Sequence, residues 1–117
     1  MILPEKGHRL RIFVGERDKY EKKPLYEWIV QKAREHDLAG ATVIRGIEGY
    51  GAHTRIHTGK ILMLADELPI IIEIVDTIEK IEDFLPLIDH AITEGLATIE
   101  DVNIRFYRSG KNTTEAK

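Results

Sequence analysis

Hydrophobic and polar positions alternate from His8 to Gly15. Leu10, Ile12 and Val14 fall on one side, Arg9 and Arg11 on the other, which predicts a half-buried strand. The run Glu16 to Lys23 is almost wholly charged and reads as an exposed loop. Pro24 suits the first position of a helix, where its missing N–H costs nothing. Leu25, Ile29 and Ala33 then recur at helical spacing, with Tyr26 and Val30 beside them. That helix is expected to run to about Leu38 and to stop at Gly40. Ala41 to Arg45 predicts a short strand, and Gly46, Gly49 and Gly51 then break regular structure. Lys60 to Leu64 reads as another extended stretch. Ile70 to Val75 is nearly continuous Ile and Val, the pattern of a strand inside a sheet. Asp76 or Thr77 can cap a second helix, whose stripe is Ile78, Ile81, Leu85, Ile88 and Ile92. Pro86 predicts a kink or break near Leu85, and Gly95 an end. Val102, Ile104 and Phe106 alternate with Asn103 and Arg105 in a last strand. The tail 109–117 is polar.

The order β-α-β, long loop, β-α-β is the split βαβ of an α+β, ferredoxin-like fold, an antiparallel sheet with two helices on one face. One domain is expected over 1–117, with a core over 8–107, a long loop at about 47–67 and a polar tail at 109–117. The opposite sheet face then needs a cover, because strand 70–75 is too apolar to stand half in water. A second copy of the chain is the simplest cover, so a homo-oligomer is expected.

Composition changes this picture mainly by exclusion. The chain has 117 residues, no cysteine and a net charge of −3. Thiol catalysis, disulfides and thiolate metal sites are therefore excluded. A weakly acidic chain lacks the basic footprint of a nucleic-acid binder. No apolar run is long enough to insert in a membrane. No leader with a small-residue cleavage site is visible, so the expected location is cytoplasmic. Serine occurs only at Ser109, and no nucleophile with an oriented base emerges, so the chain is not expected to be an enzyme.

Three stretches carry a family resemblance. Thr42-Val43-Ile44-Arg45-Gly46, the glycine-rich segment after it and His53-Thr54 resemble the second strand and loop base of the PII signalling proteins. Leu68-Pro69 leading into Ile72-Glu73-Ile74-Val75 is similar to their third strand. Leu10-Arg11-Ile12-Phe13-Val14-Gly15-Glu16, with Asp18 and Pro24-Leu25-Tyr26, resembles a domain-of-unknown-function family of PII-like proteins. The likeness covers about residues 8–107. It implies a homotrimer that binds an adenine nucleotide (ADP, ATP or AMP) between subunits, with no cofactor required. It also implies that a loop at about 47–67 offers a surface to a regulated protein partner whose identity is unknown. Two departures stand out. Leu96 to Asp101 occupies the place of the PII phosphate loop but holds neither glycine nor lysine, and Tyr50 stands where PII proteins carry a glutamine.

Candidate site residues follow from both lines. Glycines let backbone N–H groups approach an anion, and cations neutralise it. Gly46, Gly49 and Gly51 with Arg45, Arg55 and Lys60 are therefore the expected anion or nucleotide site. The plain alternative is a glycine loop with solvated charges. The resemblance adds Arg105 and Arg108, since basic residues near the last strand touch phosphates in PII proteins. Arg9 and Arg11 are expected to pair with Glu73 or Asp101 instead. His53 and His57 stand four apart and form an alternative divalent-metal site. Gly49, Gly51 and Gly59 argue against the helix such spacing needs, so exposed loop histidines are the plain reading. Trp28 and Tyr26 read as core or interface anchors. A small phosphohydrolase using Arg17 is the remaining alternative, on fold analogy alone.

Overall fold

The computed structural model describes residues 3–47 and 68–110. The strands are β1 (Lys6–Gly15), β2 (Lys19–Tyr20), β3 (Lys23–Pro24), β4 (Thr42–Arg45), β5 (Pro69–Asp76) and β6 (Leu96–Asn103). The helices are α1 (Leu25–Glu35) and α2 (Ile78–Ile88), the latter followed by a 3-10 turn, Asp89–Ala91. The main sheet has the order β4-β5-β1-β6, with every pair antiparallel. This is the ferredoxin-like order expected from the sequence, with a small β2–β3 hairpin added.

Register decides the two faces of the sheet. Leu10 stands opposite Ile74 and Ile12 opposite Ile72, and all four are essentially unexposed. They form one core with Trp28, Ile29 and Ala33 of α1 and Ile81, Phe84 and Ile88 of α2. Both helices therefore cover the same face. The opposite face carries Arg9, Arg11 and Phe13 of β1 beside Val75, Glu73 and Ile71 of β5. Ile44 of β4 and Leu96 of β6 extend its apolar end and are 41% and 57% exposed.

Several boundaries differ from the sequence reading. Helix α1 ends at Glu35, not near Leu38, and Gly40 does not stop it. Asp37 takes a left-handed conformation (φ 60°), its N–H bonds to Arg34 O at 3.1 Å, and Leu38 N–H bonds to Ala33 O at 3.1 Å. That is a Schellman ending with an aspartate where glycine is usual. The core then takes in Leu38, at 8% exposure. Helix α2 passes through Pro86 to Ile88 without breaking at Leu85. Gly95 lies beyond the 3-10 turn and does not end the helix. The charged run 16–23 is not wholly loop, because Glu21 and Lys22 (φ 53° and 68°) close a tight hairpin. Tyr20 of that hairpin packs on Trp28 with ring centroids 4.6 Å apart. Ile104 and Phe106 lie past the end of β6, which is displaced toward the N-terminus from its expected place. The stretch Lys60 to Leu64 lies outside the described residues.

Candidate functional site

Arg45 ends β4, and Gly46 follows it. Gly46 N–H donates to Pro69 O at 2.8 Å, and a Cβ built on Gly46 would stand 2.6 Å from Pro69 Cγ. Only glycine fits that approach without displacing the proline. Arg45 Nη2 pairs with Glu16 Oε2 at 2.6 Å. The Glu16 backbone N–H donates to Leu68 O at 2.8 Å. Glu16 thus touches both the last residue of β4 and the residue that precedes β5. Asp18 fixes the turn that presents it, since Asp18 Oδ2 accepts from Gly15 N–H at 2.9 Å. Gly49, Gly51, Arg55 and Lys60 lie outside the described residues, as do His53 and His57. Among the described residues no group of three or more His, Cys, Asp or Glu side chains could hold a metal ion.

Arg105 and Arg108 occupy the chain after β6. Ile104 N–H donates to Glu5 O at 2.6 Å, and the Tyr107 hydroxyl donates to Ala39 O at 2.6 Å. These contacts strap the segment across the start of β1. Arg105, Phe106 and Arg108 line a concavity of about 470 Å3 with Leu3 and Glu5. The Arg108 guanidinium stands 4.2 Å from the Phe106 ring centre, and Phe106 is 67% exposed. A cation against an exposed aromatic ring, with a second cation lining the same concavity, suits an anion that carries a planar ring.

The structure does not bring these two groups together within one chain. Arg45 pairs with Ile70, which stands opposite Val14, whereas Asn103 stands opposite Lys6. At about 3.4 Å per residue, the two sites lie roughly 27 Å apart along β1.

Arg9 and Arg11 are engaged on the open sheet face. Arg9 Nη2 hydrogen-bonds Glu100 Oε2, and Arg11 Nε donates to Glu73 Oε2 at 2.7 Å. Arg11 Nη1 also approaches Glu100 Oε1, at 3.8 Å. Glu73, Arg11, Glu100 and Arg9 therefore alternate in sign across three strands. The Arg9 hydrogen bond is the main cause that holds the Glu100 carboxyl below the usual carboxylate range. Burial opposes it, and the charges of Arg9 and Arg11 add to it. Asp101 takes His8 rather than an arginine, at 3.1 Å. Glu100 and Asp101 belong to β6, so residues 96–101 are a paired strand and not the counterpart of a phosphate loop. The segment that does precede the last strand, 92–95, is short and ends in Gly95. The sequence offers Glu16, with Asp18, as a residue that could orient a partner or a ribose hydroxyl, but not its pairing with Arg45. The signal was present as a carboxylate directly after β1, but its partner lies 29 positions on.

The DUF190 family model, described as "Uncharacterized ACR, COG1993", matches residues 7–104. The chain belongs to the DUF190 family. It is 43% identical over 95 residues to a UPF0166 protein of Aquifex aeolicus, covering 81% of this chain and 90% of that one. A UPF0166 protein of Methanocaldococcus jannaschii is 36% identical over 100 residues, covering 85% and 92%. Among solved structures, the DUF190 chain is similar to CPII of Thiomonas intermedia K12 bound to ADP and bicarbonate. There the TM-score is 0.60 at 17% identity, covering 85% of this chain and 88% of that one. The apo form of the same protein, a nitrogen regulatory PII-like protein, gives a TM-score of 0.60 at 14% identity, covering 85% and 91%. The fold is therefore PII-like. Among the described residues no helix is long and apolar enough to cross a membrane.

Proposed function

We propose that this DUF190 protein is a non-enzymatic, PII-like regulatory trimer that binds an adenine nucleotide, or a similar small anion, between subunits. The separation of Arg45 from Arg105 and Arg108 is the observation that carries this reading. Two cationic groups at opposite ends of one sheet can share a ligand only if neighbouring subunits place one end against the other. The partly exposed apolar end of the sheet (Phe13, Ile44, Ile71 and Leu96) supports the assembly. CPII, similar in fold, binds ADP, and that supports the ligand class. Arg45 and Gly46 of one subunit would hold phosphate. Arg105 and Arg108 of a neighbour would complete the charge, with Phe106 against the base. Gly49, Gly51, Arg55 and Lys60 remain part of the proposed site. In this reading residues 47–67 present the surface that a regulated partner protein recognises, and ligand binding changes that surface.

Calorimetric titration of ADP, ATP and AMP, with and without magnesium, tests the reading on protein whose mass is measured by light scattering. One site per chain in a trimer is expected. Arg45→Ala or Arg105→Ala should each weaken binding about tenfold or more, the loss of one charge-assisted hydrogen bond. A folded trimer that gives no heat with any nucleotide overturns it.

A further inference from the structure

We infer that Arg45 is an anion site already filled by the chain's own Glu16, so that a phosphate-bearing ligand binds there by displacing that carboxylate. The inference rests on the nucleotide reading above and names the group that regulates its site.

Three observations carry it. The pair is monodentate, Nη2 to Oε2 at 2.6 Å. The Arg45 side chain is 59% exposed and the Glu16 side chain 26%, so the cation is the more open of the two and the anion is half-buried. Glu16 Oε1 is buried with no hydrogen-bond partner among the described residues.

A carboxylate with one oxygen ion-paired and the other buried without a partner gains little from its position. A phosphate presents more charge and more acceptor oxygens to the same guanidinium and can stay partly hydrated. Exchange therefore favours a polyanion over a second carboxylate. The backbone hydrogen bond from Glu16 to Leu68 does not involve the side chain, so displacement leaves the turn in place. Glu16 thereby sets an affinity threshold and screens out weakly charged ligands.

The test titrates ADP and, separately, inorganic pyrophosphate into the full chain, its Glu16→Gln variant and a Glu21→Gln control. Glu21 is an exposed carboxylate of the hairpin turn, so the control makes the same change in net charge away from Arg45. Glu16→Gln keeps the side-chain shape, and Glu16→Ala is run beside it with thermal melts to confirm folding. Glu16→Gln should bind both probes about fivefold tighter, the worth of one exposed ion pair. Glu21→Gln should match wild type, and the gain should vanish in the Glu16→Gln/Arg45→Ala double variant. If wild type binds ADP and Glu16→Gln binds it no tighter, the inference is overturned and the nucleotide reading stands. If no variant binds ADP but Glu16→Gln gains pyrophosphate affinity through Arg45, the nucleotide reading falls and the inference stands. A Glu16→Gln protein that binds neither probe overturns the inference, as does an equal gain in Glu21→Gln.

Discussion

The Asp76 carboxylate accepts a hydrogen bond from the backbone N–H of Ala39 at 2.8 Å, joining the end of β5 to the turn after α1. Its second oxygen accepts from Thr77 N–H at 2.7 Å, and the residue is 1% exposed. Both oxygens of a buried carboxylate are thus satisfied by backbone donors. The same turn is held twice more, by Lys80 Nζ on Asp37 O and by the Tyr107 hydroxyl on Ala39 O. Asp76→Asn would turn an N–H donor of the new amide toward an N–H donor of the backbone. A loss of about 1–3 kcal/mol is expected, read from the urea unfolding midpoint. Thr77→Ala removes only the helix cap to Lys80 N–H and should cost about 1 kcal/mol. Equal stability of wild type and Asp76→Asn would show that the junction does not hold the turn.

The Arg9–Glu100 pair makes stability depend on pH. Glu100 is held below its ordinary value in the folded chain, chiefly by the Arg9 hydrogen bond. Its contribution is therefore complete above the unfolded carboxylate value. It is lost as pH falls through the lower folded value, where the protein must protonate the group. Unfolding midpoints measured from neutral to acidic pH should fall less steeply for Glu100→Gln than for wild type. Parallel curves would mean that this carboxylate is not linked to folding.

Two glycines near helix ends should respond oppositely to the same change. A Cβ on Gly95 would stand 2.7 Å from Phe13 O, a backbone atom that cannot swing away. Gly95→Ala should destabilise by about 1–3 kcal/mol as β6 shifts off β1. Nothing lies within 4 Å of a Cβ on Gly40, and its φ is not positive. Gly40→Ala should be neutral or stabilising by up to about 1 kcal/mol, through the unfolded chain. Matched thermal melts of the two variants decide this.

The open sheet face should be where copies of the chain meet. Leu96 is 57% exposed and stands opposite Phe13, which stands opposite the half-buried Ile71. A Leu96→Glu or Ile71→Asp variant puts a charge into that apolar end and should lower the mass in light scattering toward one chain, with the circular dichroism of a folded domain. The exposed Leu87 of α2 lies on another element, and Leu87→Glu should leave the mass unchanged. An assembly unaffected by Leu96→Glu and Ile71→Asp would place its interface elsewhere.

The proposed site is legible in the sequence as residue types and hardly at all as partners. Arg45 and Gly46 point to the proposed anion site by their chemistry, and Arg105 and Arg108 do so by resemblance. Glu16 does not announce itself, because a carboxylate in a charged run looks solvated until the fold sets it against Arg45. Arg11 and Glu73 illustrate the same limit. Their pairing was one of two options in the sequence, and the antiparallel register of β1 and β5 selects it. For Arg9 the register of β6 selects Glu100 over its neighbour Asp101, because adjacent residues of a strand point to opposite faces.

Local periodicity by itself determined the alternating core positions of β1, the apolar run of β5, both amphipathic helices and hence the fold class. Burial of an apolar face acts on every second residue of a strand and on each turn of a helix, so it is written along the chain. Where elements stop and which charges meet was decided only by the tertiary structure. The Schellman ending at Asp37 depends on Leu38 reaching the core, and the place of β6 depends on pairing with β1. The offset of roughly 27 Å along β1 between the two cationic groups follows from the pairing registers of β4, β5 and β6. Each of these is a contact between distant parts of the chain, whose energy no local pattern encodes.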